Sequence, residues 1–530
     1  MTALKSQLAD QLSDAAVPGA AVAGEGDPAD KAGPHADVPL CVDLDGTLVK
    51  SDTLVDSVLV MARQRPAALL RLPGWLAKGK AAFKQQVAAI VALNVEFLPY
   101  NQPLLQYLRE QHGAGRAIYL ATASDRALAE RVASYLGIFA GVLASDGETI
   151  LAGGNKLAAF RDHFPAGFCY IGNALPDAEV LAECTAPMVA NADRALLRRM
   201  RRGGTKAARA FDDRAPLVRS WLRAVRLHQW AKNTLIFVPL LLAHQWTMAT
   251  IGGAVVAFVS FGLCASATYI LNDLLDLETD RRHPRKRRRP FASGDLSALA
   301  GVSAVVLMLT AAAALAVALP EIVAALAGYD ALEKPYSFLG WLGLYAVTTL
   351  TYSIYLKRRV LLDVFVLSGL YTVRILAGWG ATGIEVSAWL AGFSVFFFLS
   401  LAYVKRFSEL EGLRARGDLG GGVGSGSNAS LSGRGYAVGD LEQLRALGTG
   451  AAYASVVVLT LYISNSGAGA LYRHPVRLWM TVPVLLLWLS HVWMLASRGE
   501  MHDDPVVYAI TDKRSLLLGV LMAVVVWFAL

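Results

Sequence analysis

"NDLLDLETDRRHPRKRRRPFASG", residues 272–294, sets three aspartates and then a dense cationic run directly behind a long apolar stretch. Charge is scarce elsewhere: charged residues make up 17% of the chain and hydrophobic residues 55%, and mean hydropathy is +0.42. Much of this chain is too apolar for an ordinary soluble protein. A sudden block of arginine and lysine at the end of an apolar helix marks the cytoplasmic edge of a membrane span.

The sequence on either side of this block supports that reading. Nine apolar segments follow residue 222, near 225–244, 250–271, 298–319, 338–356, 361–380, 387–404, 449–466, 476–496 and 515–530. A span takes about 20 residues, so the shortest must borrow from their flanks. With the N-terminus inside, the cytoplasmic loops carry Arg281 to Arg289, Lys357 to Arg359, Lys405, Arg406, Arg414 and Arg416, then Lys513 and Arg514. The opposite loops hold little more than Lys334, Arg473 and Arg477. This alternation obeys the positive-inside rule at every turn. The net charge of +8 therefore belongs to a membrane face and implies no nucleic-acid partner. Four scattered cysteines (Cys41, Cys169, Cys184, Cys264) suggest neither a disulfide framework nor a zinc site.

Asp273, Asp276 and Asp280 are spaced i, i+3, i+7, so the helical period puts their carboxylates on one face, beside Asn272. Clustered acids near a bilayer repel unless a divalent cation neutralises them, and oxygen donors favour Mg²⁺, which shares its sites with substrate phosphates. Arg282, Lys286, Arg287 and Arg289 supply the cations that a diphosphate needs. A purely topological basic loop would explain the cations but not the three acids.

These residues carry a resemblance. "NDLLDLETD…RP…SG" resembles the first aspartate-rich motif of the UbiA superfamily of intramembrane prenyltransferases, and the likeness covers about residues 222–530. "RLHQWAKN" (226–233), "DRRHPRKRRRPFASG" (280–294), "YSIYLKRRVLLDVFVLSGLYTVRILAGWGATG" (352–383), "KRFSEL" (405–410) and "DDPVVYAITDKRS" (503–515) resemble its decaprenyl-phosphate phosphoribosyltransferase branch, which serves arabinan biosynthesis. The resemblance implies an all-α bundle of nine transmembrane helices. In it, Asp273, Asp276 and Asp280 hold Mg²⁺ with the diphosphate of phosphoribosyl pyrophosphate, and Lys232 and Asn233 line the same mouth. Tyr352, Lys357 and Asp363 complete the site from the other side. Arg374, about three turns beyond Asp363, would lie deep in the bundle, facing a lipid phosphate or a helix carbonyl. Lys405 and Arg406 read equally well as snorkelling anchors. The implied partners are a polyprenyl lipid, a phosphoribosyl or prenyl diphosphate donor, and the bilayer of the inner membrane. The alternative is an aromatic-acceptor prenyltransferase of the same fold, carrying a non-catalytic N-terminal domain.

The first part of the chain has a different character. Residues 1–37, rich in Ala, Gly, Pro and Asp, read as a disordered cytoplasmic leader with no signal peptide. From 38 to 200, "VPLCVDLDG", "AIYLATASD" and "FCYIGNALPD" are short β-type runs separated by amphipathic helical stretches, the doubly wound α/β pattern. "VDLDGTLVKSDT" (42–53) resembles the first motif of the haloacid dehalogenase superfamily. That resemblance implies a phosphatase with a helical cap. In it Asp43 attacks phosphorus, Asp45 handles the leaving-group proton, Thr122 and Lys156 bind phosphate, and Asp43, Asp45 and Asp177 hold Mg²⁺. Gly172-Asn173 departs from the usual Gly-Asp of the fourth motif, which removes one charge from the metal site. The cap segment "LLRLPGWLAKGKAAFKQQ" (69–86) reads as cap packing first, and as a contact with the bilayer surface second. Residues 201–221 read as a basic linker, and "LGGGVGSGSNASLSGRGYAVGD" (419–440) as a flexible Gly/Ser connection.

Overall fold

The computed structural model describes residues 37–145, 150–419, 434–464, 472–501 and 504–530. The leader, but for its last residue, and most of the Gly/Ser connection lie outside these. Two compact units result. One comprises the chain up to Ala215 with 281–287 and 293–295; the other comprises Pro216–Asp280, Arg288–Ala292 and Leu296–Leu530.

The first unit is built on a six-stranded sheet: β1 (Leu40–Val42), β2 (Ile118–Asp125), β3 (Gly141–Ser145), β4 (Cys169–Gly172), β5 (Pro187–Ala190) and β6 (Arg209–Phe211). The order is β3-β2-β1-β4-β5-β6, and every pairing is parallel. All three residues of β1 are fully buried, as a central parallel strand covered on both faces requires. The strand order reverses between β1 and β4, so their carboxyl ends border the crevice where such sheets bind ligands. Between β1 and β2 the chain folds into α1 (Thr53–Gln64), α2 (Leu72–Ala77), α3 (Lys80–Ile90) and α4 (Gln102–Gly113). This is the helical insertion expected between the first two motifs. The remaining helices are α5 (Arg126–Leu136), α6 (Gly154–His163), α7 (Ala178–Glu183) and α8 (Arg194–Arg202).

Three strands were legible and six are present among the described residues. β3 and β5, at five and four residues, were missed although they are no shorter than β1 and β4. β6 corrects the linker expected over 201–221. Phe211 there is 3% exposed, and the Arg209 guanidinium lies 4.6 Å from the Tyr107 ring centroid, so a basic stretch completes the sheet. The boundary between the units falls at Ala215, not at 200.

The second unit is helical: α9 (Leu217–Val225), α10 (Val238–Ala243), α11 (Met248–Leu275), α12 (Leu277–Arg282), α13 (Ala298–Ala327), α14 (Ser337–Ile354), α15 (Leu362–Thr382), α16 (Ala388–Leu419), α17 (Leu441–Ser464), α18 (Thr481–Ser497), α19 (Pro505–Thr511) and α20 (Lys513–Ala529). Among the described residues, six helices are long and apolar enough to cross a membrane: Met248–Leu275, Ala298–Ala327, Leu362–Thr382, Ala388–Ala415, Val438–Ser464 and Pro475–Ser497. All nine expected segments carry helical structure, but three are shorter or less apolar. The first differs most: 225–244 is a 3-10 segment, Leu227–Phe237, running into the short α10. Its polar residues Lys232 and Asn233 are turned inward and buried, which a lipid-facing helix would not permit.

α11 and α15 form the centre, each with 61% of its most apolar stretch buried, against 22% for α13. Close backbone approach holds them there. A Cβ on Gly253 of α11 would stand 2.3 Å from the Ala381 carbonyl oxygen, and one on Gly378 of α15 would stand 2.2 Å from that of Ile236. Small residues at such crossings give membrane helices their packing contact.

Candidate functional site

α11 ends at Asp276, where the backbone leaves helical geometry (φ −93°, ψ 11°), and α12 restarts at Leu277. The strict single face expected for the three acids is therefore broken at its middle member, whose N–H still bonds the Asn272 carbonyl at 2.9 Å. Arg289 rejoins the outer two. Its Nη1 donates to Asp273 Oδ1 at 3.0 Å and to Asp280 Oδ2 at 2.6 Å. Arg226 adds bonds to both oxygens of Asp273, at 2.6 and 2.9 Å, and its guanidinium packs 4.9 Å from the Tyr269 ring centroid. Lys357 donates to Asp276 Oδ2 at 3.1 Å. Asp273 and Asp280 are buried, so this alternation of acids and cations keeps each charge paired at the edge of an apolar bundle.

The donor set is carboxylate oxygen, which suits Mg²⁺. Among the described residues, however, no three His, Cys, Asp or Glu side chains gather closely enough to hold a metal ion, and Arg289 stands between two of the acids. The sequence led to the expectation that a divalent cation neutralises these acids; here Arg226, Arg289 and Lys357 pair with them. Of the expected cations, Arg289 and Lys357 reach the acids. Arg282 and Lys286 are exposed and belong with the first unit.

Two further clusters lie in the same unit. Lys232 and Lys405 both donate to Asp504 Oδ2, at 2.7 and 2.8 Å, and Tyr371 Oη donates to Oδ1 at 3.1 Å. Burial pushes the Asp504 carboxyl up, but the Lys405 and Lys232 ammoniums outweigh it and hold the group well below the usual carboxylate range. Arg374 is buried as expected, bonding Asn233 Oδ1 at 2.9 Å, Tyr345 Oη at 3.0 Å and the Leu370 carbonyl one turn back. In the third cluster, Asp363 is fully buried between Arg406 and Tyr436, and Arg406 also reaches Tyr352 Oη at 3.1 Å and Glu409. Tyr352 and Asp363 thus both bond Arg406. Arg406, at 0% exposure, is no snorkelling anchor.

In the first unit, Lys156 donates to Asp43 Oδ1 at 2.9 Å and to Tyr170 Oη at 2.8 Å, and lies 3.7 Å from Asp177. Burial pushes the Asp43 carboxyl up to about 7, although Lys156 pulls the other way. Burial also raises Asp45. For Lys156 burial acts downward, but Asp43 and Asp177 win and keep it protonated. Asp45 accepts from the Thr53 N–H at 2.8 Å and from Ser124 Oγ. Thr122, expected to bind phosphate, is fully buried, and its Oγ1 accepts from the Ser124 N–H at 3.0 Å. Asp177 accepts from Tyr170 Oη and from the N–H groups of Asn173 and Ala174, so it organises the loop after β4. Asn173 reaches back to the β1 loop: a Cβ on Gly46 (φ +76°) would stand 2.0 Å from Asn173 Nδ2.

The UbiA prenyltransferase family model matches residues 234–513, more than half of the 530-residue chain. The chain belongs to the UbiA prenyltransferase family. This UbiA-family chain is 36% identical over 494 residues to the uncharacterized protein y4nM of Sinorhizobium fredii, covering 92% of this chain and 90% of that one, an extent that takes in both units. It is 35% identical over 311 residues to the nodulation protein NoeC of Azorhizobium caulinodans, covering 58% of this chain and 92% of NoeC. It is 34% identical over 209 residues to decaprenyl-phosphate phosphoribosyltransferase of Mycobacterium tuberculosis, covering 37% of this chain and 62% of that enzyme.

Sequence reasoning missed Arg226, Tyr371, Asp504, Ser124 and Tyr170. Ser124 had a signal, since it lies two residues beyond Thr122 on the same strand face. Asp504 was hidden by a simpler role, as N-cap of α19 with proline at its first position.

Proposed function

We propose that the second unit moves phosphoribose from phosphoribosyl pyrophosphate to a polyprenyl phosphate at the cytoplasmic face of the inner membrane. The first unit then removes the sugar's 5-phosphate. The observation that carries the reading is the alternation of Asp273, Asp276 and Asp280 with Arg226, Arg289 and Lys357 at the end of an apolar bundle. The likeness to decaprenyl-phosphate phosphoribosyltransferase favours this donor and acceptor over a prenyl diphosphate and an aromatic acid.

In this reading one or two of the acids, together with oxygens of the substrate diphosphate, would hold Mg²⁺, which would supply charge neutralisation for the departing diphosphate. Arg226, Arg289 and Lys357 donate to its non-bridging oxygens as negative charge grows on the leaving group. An ionised oxygen of the lipid phosphate attacks the anomeric carbon, the bond to diphosphate breaks, and no side chain needs to take a proton. In the first unit Asp43 attacks the phosphorus of the sugar phosphate, Asp45 protonates the leaving sugar oxygen, and Lys156 steadies Asp43 and the phosphate; water, giving a proton to Asp45, then hydrolyses the aspartyl phosphate and frees phosphate. One chain bearing both activities would pass its product on at high effective concentration.

The test is substrate choice. Membranes containing the full chain are incubated with Mg²⁺ and either phosphoribosyl pyrophosphate plus polyprenyl phosphate, or a prenyl diphosphate plus an aromatic acid. Consumption of the first pair supports the reading, and consumption of the second alone overturns it.

A further inference from the structure

In the first unit, residues 65–79, "RPAALLRLPGWLAKG", are all apolar residues, glycines or cations. No Ser, Thr, Asn, Gln, Asp or Glu interrupts them, and no acid lies between Asp56 and Glu96. The structure divides this stretch in two. Leu69, Leu72 and Trp75 pack against the core of the unit, as cap packing requires. Leu70 and Leu76 do not. At 85% and 58% they are the most exposed large apolar side chains of the first unit among the described residues.

Cations stand beside them in the chain. Arg65, Arg71 and Lys78 are exposed, whereas Lys84 turns inward and donates to the Ala123 carbonyl at 2.7 Å. Two exposed leucines alone would call for no explanation. Leucines set among cations, with no acid or neutral polar side chain between, have the make-up of a segment lying in a lipid headgroup layer. There leucine enters the acyl boundary and the cations meet anionic headgroups. A protein partner fits less well, because the cores of protein interfaces are depleted of charge. The bilayer is also always within reach, since the same chain runs on into helices long and apolar enough to cross a membrane.

We propose that residues 65–79 are a bilayer-docking surface of the first unit. Leu70 and Leu76 insert to the acyl boundary, and Arg65, Arg71 and Lys78 meet anionic lipid headgroups. The consequence rests on the phosphatase proposed above: docked in this way, the first unit meets a sugar phosphate carried on a lipid within the headgroup layer. A water-soluble sugar phosphate gains nothing from the contact.

The test uses the full chain in nanodiscs of zwitterionic lipid, with and without phosphatidylglycerol. The four natural cysteines are buried, so a nitroxide can be attached selectively at Leu70→Cys or, as a control, at Glu110→Cys, an exposed position of α4. With anionic lipid, the label at 70 should collide more with oxygen and less with a water-soluble nickel chelate, while the label at 110 stays water-accessible. Adding Arg71→Gln and Lys78→Gln should lower the docked-to-undocked ratio at least about tenfold. A label at 70 as water-accessible as that at 110 overturns the surface. So does a fall in both collision rates together, which marks cover by protein. On the activity side, Leu70→Ser with Leu76→Ser should raise KM for a lipid-borne sugar phosphate and leave kcat and KM for free ribose 5-phosphate unchanged. An equal change for both substrates overturns the lipid-access role. If the wild type releases phosphate from neither, the phosphatase reading falls, and an immersed label at 70 still upholds the docking surface.

Discussion

Asp273 and Asp276 sit three residues apart and should respond differently to removal. The Asp273 side chain is 4% exposed and bonds two arginines, whereas that of Asp276 is 25% exposed and pairs with Lys357. Losing a buried partner strands its cations, so Asp273→Ala should cost about 3 kcal/mol of stability. Asp276→Ala should cost at most about 1 kcal/mol, as for an exposed pair. Both should abolish transfer while leaving membrane insertion intact. Thermal unfolding of the purified variants beside donor consumption checks this, and full activity of either at limiting Mg²⁺ would contradict the assigned role. Asp504 carries a pH prediction. Its folded pKa is depressed, so its stabilisation is present above the ordinary carboxylate value of about 4 and is lost as pH falls through the folded value. The Tm gap between wild type and Asp504→Asn should hold from pH 7 to about 5 and narrow only below about 4. A gap that closes already between pH 7 and 5 would show that the lysines do not hold the charge. For Asn173→Asp, beside the Asp43–Asp45 loop, the added carboxylate should lower the Mg²⁺ concentration needed for phosphate release; an unchanged requirement would remove Asn173 from the metal's surroundings.

Helix packing is set by residues too small to show in a hydropathy profile. Gly253→Ala would drive a methyl into the Ala381 carbonyl between α11 and α15, an overpacking cost of about 1–3 kcal/mol. A lower Tm with unchanged substrate choice is the expected result, and an unchanged Tm would mean that the two helices are not held by this contact. The same scale shows what the sequence could and could not convey. α11 and α13 were plain because long apolar runs bounded by charge have few other readings. β1 and β2 were plain because apolar residues run straight into aspartates. The 3-10 segment carrying Lys232 was not, because composition reports apolarity but not which way two polar side chains turn. β6 was lost among arginines, of which Arg209 lays its guanidinium over the Tyr107 and Phe211 rings. Likewise the residue types at the Asp273 site were readable from spacing. Their partners Arg226 and Lys357, 47 and 81 residues away, are brought to the acids only by tertiary folding.

For the whole molecule, we propose from the loop charges that residue 1 is cytoplasmic and that, if all nine apolar segments span, Leu530 lies outside. Reporter fusions after Lys405 and at Leu530 should lie on opposite sides, and agreement between them would remove a span from the count. The central claim joins two chemistries on one chain, so its most direct test follows the product. Membranes bearing wild type or Asp43→Asn are supplied with phosphoribosyl pyrophosphate, polyprenyl phosphate and Mg²⁺, and the lipids are analysed by mass. The account predicts a ribosylated lipid without the 5-phosphate from wild type. From Asp43→Asn it predicts the 5-phosphorylated lipid, formed at an unchanged rate. A wild type that yields only the phosphorylated lipid would contradict the phosphatase, and one that ribosylates no lipid would contradict the transfer itself.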